Sequence, residues 1–224
     1  MTARPVYTRC CDRFSANDIH FVAETLADSP ASRAQLAEFL ADPNDREAVL
    51  QNERLLTVLL EHPRPVPVSS HFYFYLLARS ALGTFDREIT DYVASVLASF
   101  VTPRSEPEVD GATLYVSELL AALKSASSER AFFVRALIGD RALVLTGVFS
   151  QHLQHRAQFR GAPDIRFYEE VGRTNYRLAS SHRLARESTL GNVYREIAER
   201  FSDLRCCLNQ LTDRLICLEP NGAS

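Results

Sequence analysis

LGNVYREIAERFSDLRCCLNQLTDRLICL, residues 190–218, carries the most regular signal in the chain. Leu190, Tyr194, Ile197, Phe201, Leu204, Leu208, Leu211, Leu215 and Leu218 alternate steps of four and three, which places them along one stripe of an α-helix. Such a stripe cannot face water, so the helix needs a partner. The preceding segment supplies one: Tyr168, Val171, Asn175, Leu178, His182 and Ala185 follow the same stepping. Gly161-Ala162-Pro163 breaks the chain before Asp164, an N-cap residue. A helix from 164 to about 187, a short turn and a second helix to 218 therefore predict an antiparallel helical hairpin.

Helix signals continue toward the N-terminus, with no strand alternation to compete. Ser15 with Asp18 is a capping pair opening a helix to about Ala27, and Ser29-Pro30 caps the next. A third helix spans about 45–61 and ends at His62-Pro63-Arg64-Pro65-Val66-Pro67, whose prolines deny a helix its backbone donors. Ser69 or Ser70 caps the run His71–Leu82, and Gly83 stops it. Further helices are expected at about 86–102, 112–125, 129–148 (with a break near Gly139-Asp140) and 150–159, with a polar loop at 102–111. The fold class is thus all-α, a multi-helix bundle of about eight to ten helices. The proline run suggests an N-terminal helical segment at 1–62 and a main bundle at 63–224, with one continuous domain 1–224 as the alternative.

Composition narrows the function classes. A 224-residue chain with 46% hydrophobic residues can bury a core without a cofactor or staple. Its formal charge of −3 argues against a polycationic protein, although charge is uneven. Residues 1–129 hold 11 basic and 18 acidic side chains, and 130–186 hold 10 and 4. Twenty-four of the 25 basic residues are Arg, a bias that weakens any argument from arginine alone. Five cysteines, two pairs of them adjacent, do not make a secreted disulfide framework. The N-terminal MTARPVYTRCCDRFS lacks an apolar signal core. The apolar run 132–149 contains Arg135, Asp140 and Arg141 and so reads as a core helix, not a membrane span. A cytoplasmic protein without a membrane segment is expected.

No phosphate-cradling loop, zinc-protease, serine-hydrolase, CxxC or Glu-x-x-His signature occurs. His152 and His155 could share a metal, but no third ligand is specified, and no metal or cofactor is expected. Cys206, Cys207 and Cys217 read as small buried hydrophobes. Six polar residues stand out as candidate ligand contacts. Asn175 and His182 interrupt an apolar stripe and must find partners or a pocket. Arg135 and Asp140 lie in a helix with little room for a solvated face. His71 and Arg79 flank the aromatic run Phe72-Tyr73-Phe74-Tyr75, either core or pocket wall. Arg173, Arg177 and Arg183 are candidate anion contacts, in an Arg-rich stretch at 156–186 interleaved with aromatics. Internal pairing of Arg173 and Arg177 with Glu169 and Glu170 is the competing expectation.

The runs HFYFYLLARSALG, DREITDYVASVLASF, FFVRALIGDRALVLTGVF and RGAPDIRFYEEVGRTNYRLASSHRLA resemble a family of bacterial all-helical proteins with no assigned activity, over about 65–218. The resemblance implies a bacterial cytosolic protein and supplies no functional residues. Three functions are compatible with the sequence. The first is a non-enzymatic binding or scaffold protein, homo-oligomeric, for a protein partner or small ligand. The second is an enzyme whose pocket gathers His71, Arg79, Arg135, Asp140, Asn175 and His182. The third is anionic-ligand binding along 156–186, with nucleic acid disfavoured by the acidic whole chain.

Overall fold

The structure, a computed structural model, describes residues 9–62, 65–101 and 115–218. The polar loop expected at 102–111 and the side chains of Cys217 and Leu218 lie outside the described residues. Among these residues the chain is all-α, with thirteen α-helices and two short 3-10 turns. It forms two compact units, one within Thr8–Thr102 and the other within Pro103–Ser224. The helices on either side of the proline run, Glu53–Glu61 and Ser70–Ala81, belong to one unit.

The first unit opens with a 3-10 turn, Cys10–Arg13, followed by α1 Ala16–Leu26, α2 Pro30–Ala41, α3 Pro43–Leu50, α4 Glu53–Glu61, α5 Ser70–Ala81 and α6 Arg87–Val101. The expected capping pair forms at α1: Asp18 N–H donates to Ser15 Oγ (3.3 Å) and Ser15 N–H to Asp18 Oδ2 (2.6 Å). Ser29, Ser69 and Asn52 each cap their helices through a side-chain oxygen. Asn52 divides the single helix expected at 45–61 into α3 and α4. α6 is buried nearly all round, from Ile89 to Ala98. α5 packs on it, and Phe72 and Tyr75 of α5 are fully buried. Phe14 meets these two rings edge-on at 5.2 and 5.5 Å.

The second unit contains α7 Val116–Ala122, α8 Ser128–Gly147, α9 Ser150–Arg160, α10 Ile165–Ser180, α11 Arg183–Arg186, α12 Leu190–Glu199 and α13 Phe201–Leu218. α8 is its centre and is continuous through Gly139-Asp140. That glycine is there for packing, because the Tyr176 ring of α10 lies where a Cβ would stand at 2.8 Å. Gly172 of α10 does the same for Phe201 and Ala142, at 2.7 and 2.8 Å. These two close approaches seat α10 on α8, and α7 closes the side with Val116 and Leu119 against Val134 and Ile138. Gly161 ends α9 in the left-handed region (φ 60°), which glycine adopts without a Cβ penalty.

The hairpin over 164–218 is not realised as two continuous helices. The long stripe is buried as expected from Leu190 through Leu208, but the helix breaks at Arg200, where its partner changes. Tyr194 of α12 lies against Tyr176 of α10 (5.5 Å between rings), whereas α13 packs on α8, Leu208 meeting Gly147. The opposing stripe is also rotated: Gly172, Asn175, Tyr176 and Ala179 are buried, and Leu178 is 47% exposed. α10 stops at Ser180, seven residues short of expectation, where Ser180 and Ser181 hydroxyls donate to Arg177 O at 2.8 and 3.3 Å.

Candidate functional site

In the first unit, carboxylates tie distant segments together. Buried Asp18 accepts from Ser69 N–H (2.6 Å) and Ser69 Oγ (2.7 Å) besides its own cap, joining the start of α1 to the start of α5. Buried Asp91 accepts from Cys10 N–H (2.8 Å) and Cys11 N–H (3.1 Å), anchoring the 3-10 turn on α6. Burial, reinforced by Asp91, pushes both thiols well above the ordinary range, so they stay protonated. Cys10 Sγ lies 3.2 Å from His71 O, its acceptor.

Candidate Arg79 is bound into a network centred on Glu47, which the sequence reading missed. Glu47 accepts from Arg79 and from Tyr75 Oη (2.6 Å) and forms an ion pair with Arg87 (3.2 Å to Nε). Burial raises the Tyr75 hydroxyl, which stays protonated and donates. Candidate His71 is half-buried, and its Nε2 accepts from Arg13 Nη1 at 3.5 Å. Burial and then the Arg13 charge lower its pKa. The aromatic run divides: Phe72 and Tyr75 are core, while Tyr73 and Phe74 are half-buried.

The other four candidates belong to the second unit, where Arg135 and Asn175 meet each other while Asp140 and His182 each take a different partner. Arg135 Nη1 donates to Asn175 Oδ1 (3.3 Å), while buried Asn175 donates from Nδ2 to Val171 O (2.8 Å). Asp140 accepts from Tyr176 Oη (2.8 Å). His182 does not sit in the seam, because α10 has already ended. It caps α11 instead, Nδ1 accepting from Leu184 N–H (3.2 Å), which leaves Nε2–H to donate to Ser128 Oγ (3.1 Å). Its ring stacks on Phe132 at 5.0 Å.

Of the anion candidates, Arg183 pairs with Glu187 (2.7 Å) and lies 3.8 Å from Glu129. Glu169 turns to Arg205 (3.2 Å) and Ser202, not to Arg173 or Arg177. Cys206 is exposed, contrary to the expectation of a buried hydrophobe. Among the described residues no group of three or more His, Cys, Asp or Glu could hold a metal.

A polar cavity of about 410 Å³ lies where the chain turns from α10 to α12, lined by Ser180, Ser181, Arg186, Ser188, Gly191, Asn192 and Arg195. None of these is acidic. Among the described residues neither Arg186 nor Arg195 has a carboxylate within ion-pair distance, and Arg195 donates to Asn192 Oδ1 (2.7 Å). The serine hydroxyls donate to backbone carbonyls. The cavity sits at the N-terminal end of α12, whose first-turn amides add positive potential. The Arg-rich stretch ends at Arg186, and Arg195, nine positions along, carries no local signal linking it to that turn. No family model matches the chain, and no curated protein or solved structure proves similar to it.

Proposed function

We propose that this chain is a non-enzymatic helical binding protein that holds an anionic group of a small ligand at the turn between α10 and α12. The observation that carries this reading is the cavity with two arginines, three serines and no acidic residue. Carboxylates and phosphates are matched by guanidinium forks and by the positive end of a helix. The setting is open, with both arginines exposed, and suits reversible binding more than chemistry, because electrostatic catalysis needs a water-excluded site.

Catalysis would need the six polar candidates to share a reaction site. Arg79 is engaged with Glu47, Arg135 with Asn175, Asp140 with Tyr176 and His182 with Ser128. None of the six lines this cavity. Binding is therefore favoured over catalysis.

The test is thermal unfolding in inorganic phosphate, sulfate or citrate, at ionic strength held constant with chloride. A ligand bound only by the native state raises the melting temperature with concentration. At least one anion should do so in the parent, and the increment should vanish in the Arg186→Ala/Arg195→Ala double variant. Equal increments in parent and variant, or none in the parent, would refute the assignment.

A further inference from the structure

We infer that the first unit holds a separate binding site for a free α-amino acid with an apolar side chain, in the cleft between the Cys10–Arg13 turn and the C-terminal end of α2. The cleft has a volume of about 400 Å³, within the range of small-molecule sites. Phe14, Ile19 and Leu40 form its apolar wall. Ala37 and Ala41, one turn apart on α2, leave the space open, and both are exposed.

The two charged residues of the lining give the ligand its class. Arg46 is held in place by two backbone carbonyls: Nε donates to Leu40 O (2.8 Å) and Nη1 to Cys11 O (3.1 Å). A guanidinium has five N–H donors, so three remain after these two bonds. Asp12 lines the same cleft. Among the described residues, neither Arg46 nor Asp12 forms an ion pair, with each other or with a third group. Cys11, also in the wall, is kept neutral by burial and adds no charge.

A simple carboxylate would meet Arg46 but also the repulsion of Asp12, and a simple amine would meet the reverse. A zwitterion offers its carboxylate to the guanidinium and its ammonium to Asp12. Its side chain then replaces water against half-buried Phe14 and Ile19, which contributes about 25 cal/mol per Å² of apolar surface covered. An amino acid with a polar side chain forgoes that last gain.

The experiment is calorimetric titration of the full chain with L-leucine and L-phenylalanine. Controls are glycine, 4-methylpentanoate (leucine without its ammonium) and 3-methylbutylamine (leucine without its carboxylate). Leucine or phenylalanine should bind, and each of the three controls should bind at least about tenfold more weakly. Because Arg46 also holds the end of α2, the discriminating variants are elsewhere. Asp12→Asn should weaken amino-acid binding by about tenfold or more. Ala37→Trp, made at an exposed position, should block it while leaving the melting curve unchanged. No heat from either amino acid at about 10 mM would overturn the proposal. So would equal binding of the controls, or undiminished binding by Ala37→Trp.

Discussion

Replacing Gly172 by Ala places one methyl group between α10 and its neighbours, and the structure sets the size of the effect. The new Cβ would stand 2.7 Å from Phe201 ring carbons and 2.8 Å from the Ala142 Cβ, whereas carbon atoms rest at about 3.5–4.0 Å. Both neighbours are fully buried, so relief requires α10 to move off α8 by roughly 1 Å. Overpacking of this kind costs about 1–3 kcal/mol. Against it stands the helix-propensity gain of Gly to Ala, about 1 kcal/mol. With rigid neighbours on two sides, the upper part of that range applies, and a net loss of about 1–2 kcal/mol is expected. Urea unfolding followed by far-ultraviolet circular dichroism measures it. Gly83→Ala is the control, since its Cβ would meet nothing nearer than 3.8 Å, and it should stabilise by about 0.4–1 kcal/mol. Shortening the partner gives the second arm: in a double-mutant cycle, Phe201→Leu should recover part of the Gly172→Ala loss. A Gly172→Ala variant as stable as the parent, or strict additivity with Phe201→Leu, would show that the close approach of Gly172 to Phe201 and Ala142 is wrong.

Three further outcomes are expected. Asp18→Ala removes the acceptor for two Ser69 donors and for Ser15 N–H and should destabilise the chain by about 3–5 kcal/mol, read as a shift of the urea midpoint. Since His71 has a lowered pKa in the folded state, first through burial and then through Arg13, the unfolded chain binds its proton more readily. That share of stability is complete above about pH 6.5 and falls as pH drops toward the lowered value, so His71→Gln should flatten the decline in melting temperature between about pH 7 and 5. An equal decline in the variant would refute it. Finally, iodoacetamide should label exposed Cys206 in the native protein, and Cys10 and Cys11 only after denaturation, because burial raises both thiols and covers them; mass-spectrometric peptide mapping reads the order.

The sequence by itself determined the all-α class and most of the helix starts. Ser15 with Asp18, Ser29 before Pro30, Ser69 and Asp164 act over three residues or fewer, and the structure places each at a helix start. Gly161 was legible for the same reason, as a local stop. The long apolar stripe correctly announced a buried face from Leu190 to Leu208. What it could not announce was its partner. Only tertiary structure decided that α12 lies on α10 and α13 on α8, because that follows from where Gly139, Gly147 and Gly172 permit close approach. The same holds for the polar side chains. Asn175 was recognised as needing a partner, but Arg135 lies 40 positions away and Glu47, the hub for Arg79, lies 32 away. Asp91 reaches the Cys10 amide across 81 positions. Residue type and spacing specify what a turn of helix does with its own neighbours, while a cavity or a buried carboxylate is made by segments that meet only when the chain has folded.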